Sequence, residues 1–521
     1  MNKYISAILL FTLFASSCKK QLEISPAQSI ESSTALSTSE GVGASITGIY
    51  SLLKSARLYG RDLIALPEAL ADNGFANNRS GRFLNEAQSV FPNAVSGANH
   101  FSNALWALSY SAINQINATL VAIPSLNVIP APSAAQKASW EGQLYFLRGL
   151  YYFELMRAYA YIPGAVITIQ DKGGVPITPN AFTTIEQAIP YKPSRAPIVD
   201  VYNYIIADLL KAEAGLAVSG EKSLATKAAA RAMLSRVYLY NKDYANAKLW
   251  SDNTITTFGA SNMTDQTDFV SNWRLADHKE TIFQVKFTVN AESIGVNESN
   301  QTAFTTLTAP GLVTVTGGFG DLVPSITLLN DLGITLVGGN TSLNFTGSPA
   351  VVATRNTDVR NLLFEPGTAG RGKSYIECTK FLGKNGFINL DNVPVIRLTE
   401  MYLNRAEAQS TPGSSIYNEP NALSDLKFVK GKRYAGYVGS AIETADNLLT
   451  GTALYNEILR QERIEFAYEG HRFFDLKRLG KDIIKSAPYT NFVFFTESRI
   501  LPPLPISDVD GNINLSQNFG Y

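Results

Sequence analysis

The sequence predicts a mainly α-helical protein in which helical hairpins scaffold irregular loops and a few short strands. Three observations carry that prediction. Long stretches place apolar residues at steps of three and four, the spacing that makes one helical face. One adjacent pair of such stretches carries small residues where two helices could meet. Over 273–384 the chain turns rich in Thr, Val, Gly and Asn and loses most of its helical period.

The helical stretches come in order along the chain. Phe101–Ile123 carries Leu105, Leu108, Ile113, Ile116 and Leu120. Lys137–Tyr161 carries Trp140, Leu144, Leu147, Tyr151, Leu155 and Tyr159 as one stripe. Ile198–Leu216, Thr226–Tyr240 and Val395–Ser410 follow the same habit. Pro163, Pro176, Pro190, Pro193 and Pro197 punctuate a connector with no helical period. Within 226–247, Ala228, Ala232 and Ser235 form a small face, Asn241-Lys242-Asp243 makes a short turn, and Tyr244 and Ala247 open a second helix. This pattern resembles a tetratricopeptide hairpin, whose small side chains let antiparallel helices approach closely. Thr281–Thr288 alternates loosely and predicts a strand. A long loop region inside a compact protein is usually functional.

The 521 residues suffice for a large core or two packed lobes. Charge is balanced, 44 positive against 44 negative and scattered, which gives no electrostatic reason to expect nucleic acid. Lys3, the short apolar run Ile5–Phe14 and the small residues Ala15, Ser16 and Ser17 before Cys18 read as a lipoprotein leader over 1–17. The apolar run is too short to span a bilayer. Cleavage there would leave Cys18 to carry lipid, which predicts a protein anchored to a membrane without crossing it. Cys378 would then be a lone, buried thiol. Lys19 to about Ser39 reads as a polar tether.

Five segments and the tail together resemble the SusD/RagB family. They are Leu22-Glu23-Ile24-Ser25-Pro26 after Cys18; Leu58-Tyr59-Gly60-Arg61-Asp62 leading to Asp72-Asn73 and to Trp106, Tyr110, Ile113 and Asn117; and residues 142–153 with Gly173-Gly174-Val175-Pro176. Residues 397–408 and 458–478 are the most specific, and Gln517-Asn518-Phe519-Gly520-Tyr521 closes the chain. The family usually has Pro where Phe519 stands. The resemblance implies a SusD-like scaffold of tetratricopeptide-like helix pairs. It implies a cell-surface lipoprotein of the outer membrane that captures oligosaccharide, or another polymeric nutrient such as peptide, for a TonB-dependent SusC-like barrel. No cofactor and no metal are implied.

The segment 458–478 concentrates acids, a His and arginines. On a helical wheel over Leu454–Gly470, Glu462, Glu465 and Glu469 fall among Leu454, Ile458, Leu459 and Phe466. Carboxylates on a core-facing stripe are costly unless paired. The sequence therefore predicts a structural ion-pair network of these glutamates with Arg148, Arg405 and Arg472, because guanidinium can grip a carboxylate with two bonds. The competing reading is a glycosidase with two carboxylates flanking a bond. His471 and Asp475 alone are too few for a metal site. Asp508-Val509-Asp510-Gly511-Asn512 lacks the full calcium-loop ligand series and reads as a turn. No phosphate-binding glycine loop or nucleophile elbow is present.

For ligand binding the best candidate segment is Asp72–Asn99, where aromatic rings alternate with amide and guanidinium groups: Asp72, Asn73, Phe75, Asn78, Arg79, Arg82, Phe83, Phe91 and Asn93. Rings stack on apolar sugar faces while Asn and Arg bond to hydroxyls. The family resemblance implies ligand binding in this part of the fold. Trp106 and Trp140 lie on helical stripes and read as core. The expected organisation is a leader over 1–17, an N-terminal helical part over 18–220 with the ligand loop 72–99, a hairpin over 221–269, and a C-terminal part over 270–521. A surface glycoside hydrolase and a protein-binding helical-repeat adhesin remain the alternative functions.

Overall fold

The structure is a computed structural model that describes residues 35–77, 79–87, 101, 103–288, 292, 294–295, 297–341, 350–384, 387–487, 489 and 492–521. The leader, Cys18, Asn78, Phe91 and Asn93 lie outside the described residues. Helix α1 (Ser39–Leu52) starts at Thr38, whose hydroxyl accepts from the Gly41 amide at 3.0 Å. Helix α2 (Asp62–Leu70) is buried along its whole length and runs into strand β1 (Gly74–Ala76).

Then follows a helix stack. α3 (Asn103–Ala122), α4 (Ala134–Tyr159), α5 (Ile198–Gly215), α6 (Lys227–Tyr240) and α7 (Tyr244–Phe258) each pack against the next. The predicted spans agree with these to within a few residues. Every apolar residue of the stripe read on α4 is buried. A close helix–helix approach needs Gly142, since a Cβ there would meet Leu216 Cγ at 2.9 Å. The hairpin α6–α7 has the predicted small face: Ala228 and Ala232 are buried, and the Ser235 and Ser251 hydroxyls hydrogen-bond across it at 2.8 Å. Caps at Ser133, Thr226 and Asp243 satisfy orphan amides at the starts of α4, α6 and α7.

After α7 the chain leaves the stack through the predicted strand, β2 (Thr281–Val285), entirely buried. It passes β3 (Leu322–Pro324), β4 (Phe364–Pro366) and β5 (Ile376–Cys378), and returns along β6 (Val393–Arg397). β6 pairs antiparallel with β2, so the outgoing and returning chains form one neck. The helix expected over Val395–Ser410 is therefore corrected. β-branched Val393, Val395 and Ile396, with Pro394 among them, make a strand, and helix α8 begins only at Leu398 (Leu398–Ser410). α8 packs back on α7 and continues the stack with α9 (Glu419–Gly431) and α10 (Gly451–Glu465). Loop-rich region 273–384 is thus an excursion from a helix stack that continues on the other side of the neck. The short helices α11 (Arg472–Arg478) and α12 (Ile506–Gly511) close the chain. α12 contains Asp508-Val509-Asp510, which were read as a turn. Among the described residues no helix is long and apolar enough to cross a membrane.

Candidate ligand-binding site

The excursion meets the chain that follows α2. β1 pairs antiparallel with β3, Phe75 opposite Val323, and β3 lies against β5. Glu377 on β5 is fully buried and fastens three segments. It accepts from Arg79 Nη1 at 2.7 Å, from the Thr306 amide at 2.6 Å and hydroxyl at 2.7 Å, and from the Thr305 hydroxyl at 3.1 Å. Burial pushes its carboxyl up and Arg79 pulls against that. Arg79 also donates to the carbonyls of Phe319 and Gly320 at 3.0 and 3.1 Å. Gly320 has φ +57°, and a Cβ there would meet Arg79 Nη1 at 2.7 Å, so the close approach requires glycine.

On this frame sits an aromatic platform. The half-buried Phe75 ring contacts Tyr489 at 5.1 Å and Tyr375 at 6.2 Å between centroids. Tyr489 donates to the Ala76 carbonyl at 2.6 Å, and the Arg79 guanidinium lies 5.1 Å from the Tyr375 ring. Beside it the half-buried Phe319 ring is approached by Arg371 at 4.0 Å and Arg82 at 5.0 Å. Arg371 is exposed, as are Leu312, Val313 and Val315 on the adjoining loop, which a Thr316–Thr368 hydroxyl pair at 2.7 Å holds in place. Phe75, Tyr489 and Phe319 keep partly open rings here, guanidinium groups lie over Phe319, and the buried Tyr375 supports Phe75 from beneath Arg79.

Of the residues predicted to contact ligand, several are already committed within the protein. Asp72 accepts from two of the Arg472 nitrogens, Nε at 2.7 Å and Nη2 at 2.8 Å. Burial would raise the Asp72 carboxyl, but Arg463 and Arg472 outweigh it and hold it well below the usual carboxylate range. Asn73 is buried between Glu68 and Arg463. Arg79 is spent on Glu377. Arg82 pairs with the buried Asp321, and Phe83 is 7% exposed under Arg61. In the structure Asp72, Asn73, Arg79 and Phe83 support the loop, their polar groups bonded or their faces covered. Phe75 alone of the predicted aromatics that are described keeps a partly open ring. Phe319, Arg371 and Tyr489 also lie at this surface, and the sequence does not single them out. Each stands singly in a loop, with no periodic pattern to single it out.

The glutamates of the charged segment are also inside. Glu465 accepts from Arg397 at 2.9 Å, Arg433 at 3.0 Å and Arg360 at 3.2 Å. Glu469 pairs with Lys380 at 2.6 Å and Arg397 at 2.7 Å. With Glu280 and Asp358 these make four buried carboxylates facing four buried cations. Burial opposes ionisation of Glu465, yet Arg433, Arg397 and Arg360 hold its carboxyl well below the usual range. Two details of the prediction are corrected. Helix α10 ends at Glu465, and Tyr468 and Gly470 take positive φ, so Glu469 sits on the turn beyond the helix. The partners also differ: Arg148 grips Asp208, Arg405 grips Asp425, and Arg472 grips Asp72, since each carboxylate is nearer on its own neighbouring helix or turn. Glu462 is set apart from that network. It shares Arg478 with Glu407 and Asp475, and burial followed by Glu407 pushes its carboxyl well above the usual range. His471 stacks on Phe466 with centroids 4.5 Å apart. Among the described residues no group of three His, Cys, Asp or Glu side chains could hold a metal ion.

Residues 22–239 match a SusD-like family model described as starch-binding and associating with the outer membrane, and residues 373–521 match the SusD family model. The chain belongs to the SusD/RagB family. SusD-like protein P2 of Formosa agariphila is 25% identical over 99% of both chains. A SusD superfamily protein from Bacteroides thetaiotaomicron has the same fold, with a TM-score of 0.73 at 22% identity, covering 92% of this chain and 99% of that one. A laminarin-binding SusD-like protein superposes with a TM-score of 0.63 at 19% identity, over 93% of this chain and 100% of that one. The SusD-like segments read from the sequence converge on ion pairs rather than on the platform: Asp72 with Arg472, Arg397 with Glu469, and Arg148 with Asp208, Arg148 also donating to the Asn117 amide oxygen.

Proposed function

We propose that this SusD-like protein is a cell-surface binding protein that captures oligosaccharide and passes it to a TonB-dependent, SusC-like outer-membrane barrel, held to the membrane through lipid on Cys18. The observation that carries the glycan reading is the group of half-buried rings, Phe75, Phe319 and Tyr489, where the excursion meets the chain after α2. Ring faces suit the apolar faces of sugars, and the flanking Arg371 suits their hydroxyls. Family membership and the laminarin-binding relative support the same reading. Binding is favoured over hydrolysis because Glu465 and Glu469 are locked in buried ion pairs rather than flanking an open cleft. A lipid tether confines the protein to the surface where a barrel sits, so modest contacts suffice for partnership.

The test is calorimetric titration with laminarin oligosaccharides. Phe75→Ala with Phe319→Ala is expected to weaken binding at least tenfold, about 1.4 kcal/mol, with little change in melting temperature. Unchanged affinity in that double variant would remove the platform from the site. Release of reducing ends from laminarin by the purified protein would instead favour the hydrolase.

A further inference from the structure

A second cleft lies among α3, the proline-rich connector and α12, and shares no residue with the platform. It is an open cleft of about 290 Å³, the small end of the range for small-molecule sites. Trp106 and Tyr110, one turn apart on α3, contribute rings with centroids 4.9 Å apart, and Tyr191 of the connector adds a third. Tyr110 and Tyr191 are half-buried, so ring surface remains open to the cleft. Its polar groups are braced in position. Asp508 Oδ1 accepts from the Trp106 indole N–H at 3.2 Å and Oδ2 from the Ser507 hydroxyl at 3.2 Å. Tyr110 Oη donates to the Pro176 carbonyl at 2.8 Å, and Asn512 Nδ2 to the Pro193 carbonyl at 2.8 Å. Lys192 Nζ donates to the Gly511 carbonyl at 2.5 Å, so the cleft's cation is tied to backbone.

We propose that this cleft binds a single neutral hexopyranose ring, its apolar face against Tyr110 and Tyr191 and two adjacent hydroxyls on the Asp508 carboxylate. Each carboxylate oxygen has a second lone pair to offer beyond the bond it already accepts. The volume accommodates one ring. Polar groups already held by hydrogen bonds need less ordering on binding.

The test uses the full chain in detergent, titrated with glucose, galactose and mannose and followed by calorimetry and intrinsic tryptophan fluorescence. At least one hexose is expected to bind and to perturb the fluorescence. Trp106→Phe should abolish the fluorescence change while the heat remains. Asp508→Asn, which keeps an acceptor for the indole, and Tyr191→Ala should each weaken hexose binding at least tenfold. Both should leave the melting temperature and laminarin-oligosaccharide binding unaltered. The proposal is overturned if none of the three sugars gives heat, or if Asp508→Asn and Tyr191→Ala leave hexose affinity unchanged. It is also overturned if Phe75→Ala with Phe319→Ala abolishes hexose binding, which would assign the sugar to the platform. Loss of laminarin binding in that double variant alone leaves this cleft's assignment standing, so the two sites succeed or fail separately.

Discussion

Three arginines converge on the single carboxylate of Glu465, and two of them, Arg397 and Arg433, also serve Glu280. Removing it leaves buried positive charge uncompensated, which typically costs about 3–5 kcal/mol. Glu465→Ala is therefore expected to lower the thermal midpoint sharply in a melting experiment, and an unchanged midpoint would show that the cluster contributes little. The same chemistry sets the acid limit. In the folded protein Asp72, Glu280 and Glu465 are held below the usual range, Glu280 at about 2 despite its burial, chiefly by Arg433. Their contribution is full above the unfolded values, about 4, and is lost as pH falls through the folded ones. Urea midpoints should fall steeply from about pH 4 downward, and Arg472→Ala should flatten part of that fall by freeing Asp72. Glu68 runs the other way: burial raises it to about 7, so its contribution is full below the unfolded value near 4.3 and is lost as pH rises towards 7. At this scale the sequence showed that the glutamates needed cations but not which ones. A helical wheel ranks neighbours on one helix, and Arg360, Lys380, Arg397 and Arg433 come from other elements.

Helices were the most legible elements, because burial of one face imposes a period that survives any loop between them. The stripe on α4 and the small face of α6 could both be read directly. Ala232→Leu on that face should overpack the hairpin and cost about 1–3 kcal/mol, measured by denaturant unfolding. The turn after α10 was less legible, since Glu469 continues the helical spacing by coincidence while positive φ at Tyr468 and Gly470 ends the helix. The platform was the least legible element. Its rings come from β1, from the Phe319 loop, from beside β5 and from near the C-terminus, and the fold alone brings them together. Gly320 is the exception, where one atom decides the geometry. Gly320→Ala is expected to displace Arg79 from Glu377 and to weaken the oligosaccharide binding proposed for the platform. Wild-type affinity in that variant would show that the loop tolerates the shift.

For the whole molecule the sequence indicated family, helical scaffold and a loop-rich region, but not that the region is an excursion returning to the same stack. That requires knowing that α7 and α8 touch. The proposed lipid anchor on Cys18 is tested at this scale as well. Cys18→Ala should move the protein from the membrane fraction to the soluble one, and gentle extraction of the wild type should bring a SusC-like barrel with it. Persistent sedimentation of the variant would argue against the anchor. The neck itself carries a consequence for how the chain reaches its native state. α3 to α7 meet partners close by in sequence, whereas β2 can pair with β6 only after the entire intervening excursion has been gathered in, with Thr281 opposite Arg397. Local contacts form fast and distant ones slowly, because closing a long loop costs entropy before any contact offsets it. In pulse-labelled amide exchange during refolding, amides of α4 to α6 should gain protection well before those of β2 and β6. Simultaneous protection would mean that the neck closes as early as the helices that flank it.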